Sequence, residues 1–159
     1  MDPIHRTIQL AEQNVERGGR PFACVIMKGD KLVAESTNQA AQTDDPTAHA
    51  EILAIREACQ KEQTEHLTDC TIYILASPCP MCLGAIYYCS PENVVYVVSR
   101  EEYEPFYRDD RKYFELDNFY EEYCKSMNER RLPVQKHFLQ AGVDVYKQWN
   151  QKHGTKYAT

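Results

Sequence analysis

The sequence is short of positive charge. Its 159 residues carry 18 Lys and Arg against 24 Asp and Glu, a formal net charge of −6. A protein that grips a long phosphate backbone draws its affinity largely from Lys and Arg, so this balance disfavours a nucleic-acid polymer as the ligand. Long apolar runs are missing as well: no stretch approaches the roughly 20 residues a helix needs to cross a bilayer. Met1-Asp2-Pro3-Ile4-His5-Arg6 lacks the basic-then-apolar layout of a secretion signal. Internal repeats and linker-like stretches are absent too, which leaves one domain spanning 1–159, long enough for a full core. Cysteine, by contrast, is plentiful. The seven thiols (Cys24, Cys59, Cys70, Cys79, Cys82, Cys89, Cys124) are odd in number and scattered. That argues against a disulfide framework and for a reducing, cytoplasmic setting.

Along the chain, Pro3 to Arg17 has Ile4, Ile8, Ala11 and Val15 near helical spacing, which predicts an amphipathic helix. Gly18-Gly19-Arg20-Pro21 ends it. Phe22 to Met27 is an apolar run without alternation, the pattern of a buried strand. A turn at Gly29-Asp30 leads to a second strand over Lys31 to Glu35. Asp45-Pro46 reads as a helix start, with Asp45 as N-cap and Pro46 in the first position. That helix turns Ile52, Leu53, Ile55, Ala58 and Cys59 inward and stops near Lys61. Thr71 to Leu75 is a third strand. Pro80 opens another helix, with Cys79 at its cap. Val94 to Val98, an uninterrupted run, predicts a fourth strand buried on both faces. Alternating strands and helices argue for α/β layering. Glu101 to Glu122, rich in acid, Tyr and Phe, reads as a partly helical surface layer over the site. Val143 to Tyr146 reads as a last strand, followed by a polar tail.

The chemistry is concentrated in His49-Ala50-Glu51 and Pro78-Cys79-Pro80-Met81-Cys82. His49, Cys79 and Cys82 supply one imidazole and two thiols, a donor set for zinc that leaves the fourth tetrahedral position open for water. Cys79 and Cys82 are three apart at a helix start, so both thiols face the same way. The helix N-terminus there favours thiolates. Glu51 then reads as the proton carrier. One geometric tension stands: two residues apart on a helix are about 200° apart, so His49 and Glu51 converge only if His49 lies in the opening turn. Cys70 and Cys89, the nearest alternatives for a fourth ligand, read as core thiols. The pattern H-x-E…P-C-x-x-C is the signature of zinc deaminases that act on nucleobases.

Three stretches carry a closer resemblance. Asp45-Pro46-Thr47-Ala48-His49-Ala50-Glu51, then Ala54 to Cys59, then Pro78 to Tyr87 resemble the cytidine-deaminase-fold guanine deaminases of bacteria. The tRNA adenosine deaminases share the first and third stretches in part. The resemblance implies a three-layer α/β/α cytidine-deaminase-like fold with a central mixed five-stranded sheet. It also implies a homodimer in which the swapped C-terminal segment closes the partner's pocket. It implies a Zn²⁺ cofactor, a free nucleobase as small-molecule substrate, and base contacts from Asn38, with Phe22 and Ala50 beside it. By spacing, Asp110 matches the family's proton-handling acid, with Asp109 as its neighbour, and Tyr157 resembles the closing aromatic. Two positions depart from the pattern: Ser77 stands where the family has Glu before Pro-Cys, and Ala23 where it has Gly. The implied reaction is guanine to xanthine plus ammonia. A tRNA adenosine deaminase, a deaminase of a pterin, triazine or cytosine, and a zinc-stabilised non-catalytic subunit are the alternatives.

Overall fold

The computed structural model describes residues 1–109, 111–116 and 118–154. Contacts divide the chain into two compact units, Met1–Asp109 and Asp110–Thr159.

The first unit is built on a four-stranded mixed sheet in the order β2-β1-β3-β4. Strand β1 (Ala23–Lys28) pairs antiparallel with both β2 (Lys31–Thr37) and β3 (Thr71–Ala76), and β3 runs parallel to β4 (Asn93–Val98). Helix α1 (Pro3–Glu16) covers one face. It starts at Asp2, whose Oδ1 accepts from the Ile4 N–H at 2.9 Å, and the chain leaves it through Gly18 at φ +83°. Helices α3 (Ala50–Glu62) and α4 (Pro80–Cys89) cover the other face. The two cores follow strand parity. Ala23, Val25 and Met27 pack with Leu10 and Ala11 of α1. Cys24, Ile26, Ile72 and Ile74 pack with Ala54 and Ala58 of α3 and Ile86 of α4. A strand apolar on both sides shows no alternation, which is why 22–27 reads as a continuous run.

Several expectations are corrected. Strand β4 is not buried on both faces. It is the edge of the described sheet, and Asn93, Tyr96 and Val97 are exposed; its apolar run continues although, among the described residues, β3 alone pairs with it. Asp45 does not cap α3. Its Oδ1 accepts from the backbone N–H and hydroxyl of Thr47 at 2.8 and 2.7 Å, a tight turn that consumes the chain and delays the helix to Ala50. The deepest face of α3 is accordingly Ala50, Glu51, Ala54 and Ala58, with the larger Ile52, Leu53 and Ile55 only partly buried. Finally, Val143 to Tyr146 is not a strand but part of α7 (Gln140–His153). Val143, Tyr146 and Trp149 recur every three residues, a helical period that outweighs the β-branched pair at 143 and 145. The described sheet therefore has four strands, not five.

Between β2 and α3 lies the one-turn helix α2 (Ala40–Thr43), and after β4 the short α5 (Arg100–Tyr103). The second unit contains α6 (Phe119–Cys124), a 3₁₀ turn at Met127–Glu129 and α7. Phe119 packs edge-on to Phe114 and Tyr123, at 4.9 and 4.6 Å between ring centroids. None of the unit's described residues is buried.

Candidate active site

All four strands end or begin at one edge of the sheet. Asn38 follows β2, Phe22 precedes β1, Ser77-Pro78-Cys79 follows β3 and Ser99 follows β4. Backbone bonds hold these ends in line: Asn38 N–H to Phe22 C=O at 3.0 Å, and Ser77 N–H to Val98 C=O at 2.9 Å. The carboxyl ends of parallel strands such as β3 and β4 are where α/β sheets present their ligand sites.

His49 is the N-cap of α3, with extended backbone angles (φ −70°, ψ 152°). It stands just before the helix, so the 200° separation does not apply, and the imidazole and the Glu51 carboxylate reach the same place. Cys79 is the N-cap of α4 and accepts from the Cys82 N–H at 3.5 Å. His49 Nδ1 lies 3.6 Å from Cys79 Sγ and 3.5 Å from Cys82 Sγ. All three donor atoms fall within 4.8 Å of one another. Zinc bound tetrahedrally at about 2.0–2.1 Å from nitrogen and about 2.3 Å from sulfur sets those atoms about 3.6 Å apart. The residues present therefore fit the ion. Among the described residues no other His, Cys, Asp or Glu belongs to this group; Cys70 and Cys89 sit in the core beneath α3 and α4.

The electrostatics agree. The Cys79 thiol is pulled well below the usual thiol range, first by a hydrogen bond from Cys82 and then by His49, against the cost of burial. Cys82, donating to that thiolate, is pushed up. Thiols ligate zinc as thiolates, so an ion bound here would displace their protons. His49 is raised, chiefly by its bond to Cys79. Glu51 is 8% exposed. Burial raises its carboxyl above the ordinary range, while its contacts include the Cys82 thiol.

Asn38 is 2% exposed. Its Oδ1 accepts from the Ala40 N–H at 3.0 Å, its carbonyl from Asn14 Nδ2 at 2.9 Å. The bond to Ala40 fixes the amide orientation and leaves Nδ2 as a donor with no partner among the described residues. Asn14 was not singled out by the sequence, though a polar residue on the inner face of α1, one turn beyond Leu10 and Ala11, is a signal. Its Nδ2 ties Arg20 C=O and Asn38 C=O together, at 2.8 and 2.9 Å. Asn14→Ala should cost about 1–3 kcal/mol, because two buried carbonyls lose their donor; chemical denaturation measures it.

Ala50 is fully buried at the first turn of α3, where opening amides lack intrahelical partners. Phe22 is partly buried and meets Tyr103 and Tyr107 edge-on, two residues the sequence reading also passed over. Asp110 and Tyr157 lie outside the described residues. The neighbouring Asp109 is described, and its charge acts on both His49 and Tyr103.

Residues 3–98 match the family described as the cytidine and deoxycytidylate deaminase zinc-binding region. The chain belongs to that family. It is 36% identical over 148 residues to guanine deaminase of Bacillus subtilis, covering 92% of this chain and 90% of that one. The solved structure of the Bacillus subtilis guanine deaminase superposes with a TM-score of 0.83 at 35% identity, over 94% of this chain and 92% of that chain. A solved guanine deaminase from Nitrosomonas europaea gives a TM-score of 0.61 at 26% identity, over 72% of this chain and 70% of that one. The tRNA-specific adenosine deaminase of Aquifex aeolicus is 36% identical over 86 residues, covering 54% of this chain and 57% of its own length. The likeness to the Bacillus subtilis enzyme thus runs through both units, whereas the likeness to this tRNA enzyme spans about half the chain. The expected α/β fold, zinc site and deaminase family are borne out.

Proposed function

We propose that the protein deaminates guanine hydrolytically, giving xanthine and ammonia. The observation that carries the chemistry is the His49–Cys79–Cys82 triangle with a buried carboxyl, Glu51, beside it. His49, Cys79 and Cys82 would hold a zinc ion, which would supply a water acidified towards a pKa of about 7. Glu51 takes one proton from the attacking water and delivers it to a ring nitrogen, then takes the second from the newly formed hydroxyl and gives it to the departing amine. The C–NH₂ bond is exchanged for C=O and ammonia leaves. Asn38 Nδ2 donates to the base, Phe22 packs on its ring, and the first-turn amide of Ala50 faces it. Asp110 handles a proton on the purine ring, and Tyr157 belongs to the exchanged segment that closes the partner's pocket.

Guanine is favoured over a base in RNA by likeness along the whole chain and by the net charge of −6, which offers no general pull on a polyanion. Incubation with guanine should release xanthine and ammonia in equal amounts. Inert guanine with edited tRNA overturns the free-base reading, and preference for a pterin, triazine or cytosine changes the substrate.

The working form is a homodimer. β4 has one unpaired edge, while 132–139 runs without helix and exposes Leu132, Val134 and Phe138. An apolar extended segment and an open strand edge complete each other, and here the occupant is a second copy, with the segment exchanged. In the same assay buffer, light scattering should give twice the 18.5 kDa chain mass; a monomer at micromolar concentration refutes it. The seven free thiols suit the reducing cytoplasm.

A further inference from the structure

Tyr103 at the end of α5 and Tyr107 just beyond it take no part in the chemistry above, yet they stand at the same sheet edge. α5 is tied to the end of β4 by a capping box: the Ser99 N–H donates to Glu102 Oε2 at 2.7 Å. This fixes the direction of the first turn and sends Tyr103 back over the strand ends. Its ring meets Phe22 edge-on, with centroids 6.0 Å apart and planes at 84°. One turn later Tyr107 meets Phe22 in the same way, at 5.0 Å and 80°. The two tyrosines are 6.5 Å apart. Phe22 is backbone-bonded to Asn38, so this aromatic wall continues directly into the pocket's polar side.

Tyr103 is half-buried and sits close enough to Cys79 and Asp109 to feel their charge. Its hydroxyl has no hydrogen-bond partner among the described residues. Burial raises the phenol above its ordinary value, with Arg100 acting against it and Cys79, Tyr107 and Asp109 adding smaller upward effects. A protonated phenol among acidic neighbours serves as a donor. On guanine the exocyclic acceptor is the carbonyl oxygen of the six-membered ring.

We infer that Tyr103 is a specificity-determining residue that contacts the substrate: its ring forms a wall with Phe22 and Tyr107, and its hydroxyl donates to the carbonyl oxygen of the base. This rests on the guanine reading. It assigns to α5 the discrimination between an oxo-purine and an amino-purine that lacks the oxygen. A donor positioned for that oxygen is left unpaired when the oxygen is missing, which is the source of the selectivity.

The probes are guanine and 2-aminopurine, which carry the same exocyclic amine and differ in the carbonyl. For the wild-type protein the ratio of kcat/KM values should favour guanine. Tyr103→Phe removes a single oxygen and keeps the wall. It should lower the ratio by about 5–100-fold, chiefly through KM for guanine, with zinc content and melting temperature unchanged. A merely structural tyrosine would move both substrates together. Tyr88→Phe, on the exposed side of α4, should leave the ratio alone. If the wild type turns over guanine and Tyr103→Phe keeps its ratio, the inference falls while the guanine reading stands. If the wild type is inert towards guanine, the guanine reading falls and takes the carbonyl contact with it.

Discussion

Glu51→Gln should abolish most turnover while leaving zinc in place. Glutamine matches glutamate in size and can still sit against Cys82, but its amide neither accepts nor returns the proton. Removing one positioned general acid–base group typically costs about 10²–10⁴-fold. Here the upper end is expected, because the same carboxyl serves the attacking water, the ring nitrogen and the leaving amine. Its environment supports that role: at 8% exposure, burial raises its affinity for a proton, so the carboxyl is suited to hold one between steps. The substitution also replaces a buried ionisable group with a neutral one, so stability should hold or rise. Metal analysis together with initial rates decides the matter. Turnover within about tenfold of wild type, at full zinc content, removes Glu51 from the mechanism.

The parts of this site legible in the sequence are those whose geometry is local. Cys79 and Cys82 lie three apart at a helix start, and that spacing alone puts both thiols on one side. The buried strand β1 is legible for a similar reason, since two covered faces leave a continuous apolar run. Where position depends on a distant neighbour, the pattern misleads. Val94 to Val98 is as apolar as β1, but nothing in it tells that β4 has a partner on one side only. Asp45-Pro46 imitates a helix cap, yet the Asp45 side chain closes on Thr47 instead, and this displacement makes His49 the cap and removes the apparent conflict with Glu51. Asn14 reaches Asn38 across 24 residues, and Tyr103, which follows β4, reaches Phe22 at the start of β1, two strands away in the sheet. Contacts of that range follow from the sheet order, which no local spacing encodes.

Cys82→Ala should lose the metal, the activity and part of the stability together. Cys82 is fully buried at the start of α4, and among the described residues its Sγ is one of three donors around the site. With two donors left, His49 and Cys79 hold zinc too weakly to survive dialysis, so metal content should fall from one per chain to near zero. Stability should drop twice over. The side chain leaves a small cavity beneath the α4 start, and the folded state no longer gains the free energy of metal binding, which grows as RT ln(1 + [L]/Kd). The second part is the larger, and added chelator should impose it on the wild type as well. Cys89→Ala provides the contrast. That thiol is equally buried, but it packs in the core with Ile72, Ile86 and Cys70, so its loss should cost about 1–2 kcal/mol of packing with zinc and turnover retained. A Cys82→Ala protein that still carries one tightly bound zinc would mean that a different fourth residue completes the site, and the open coordination position on which hydrolysis depends would be gone.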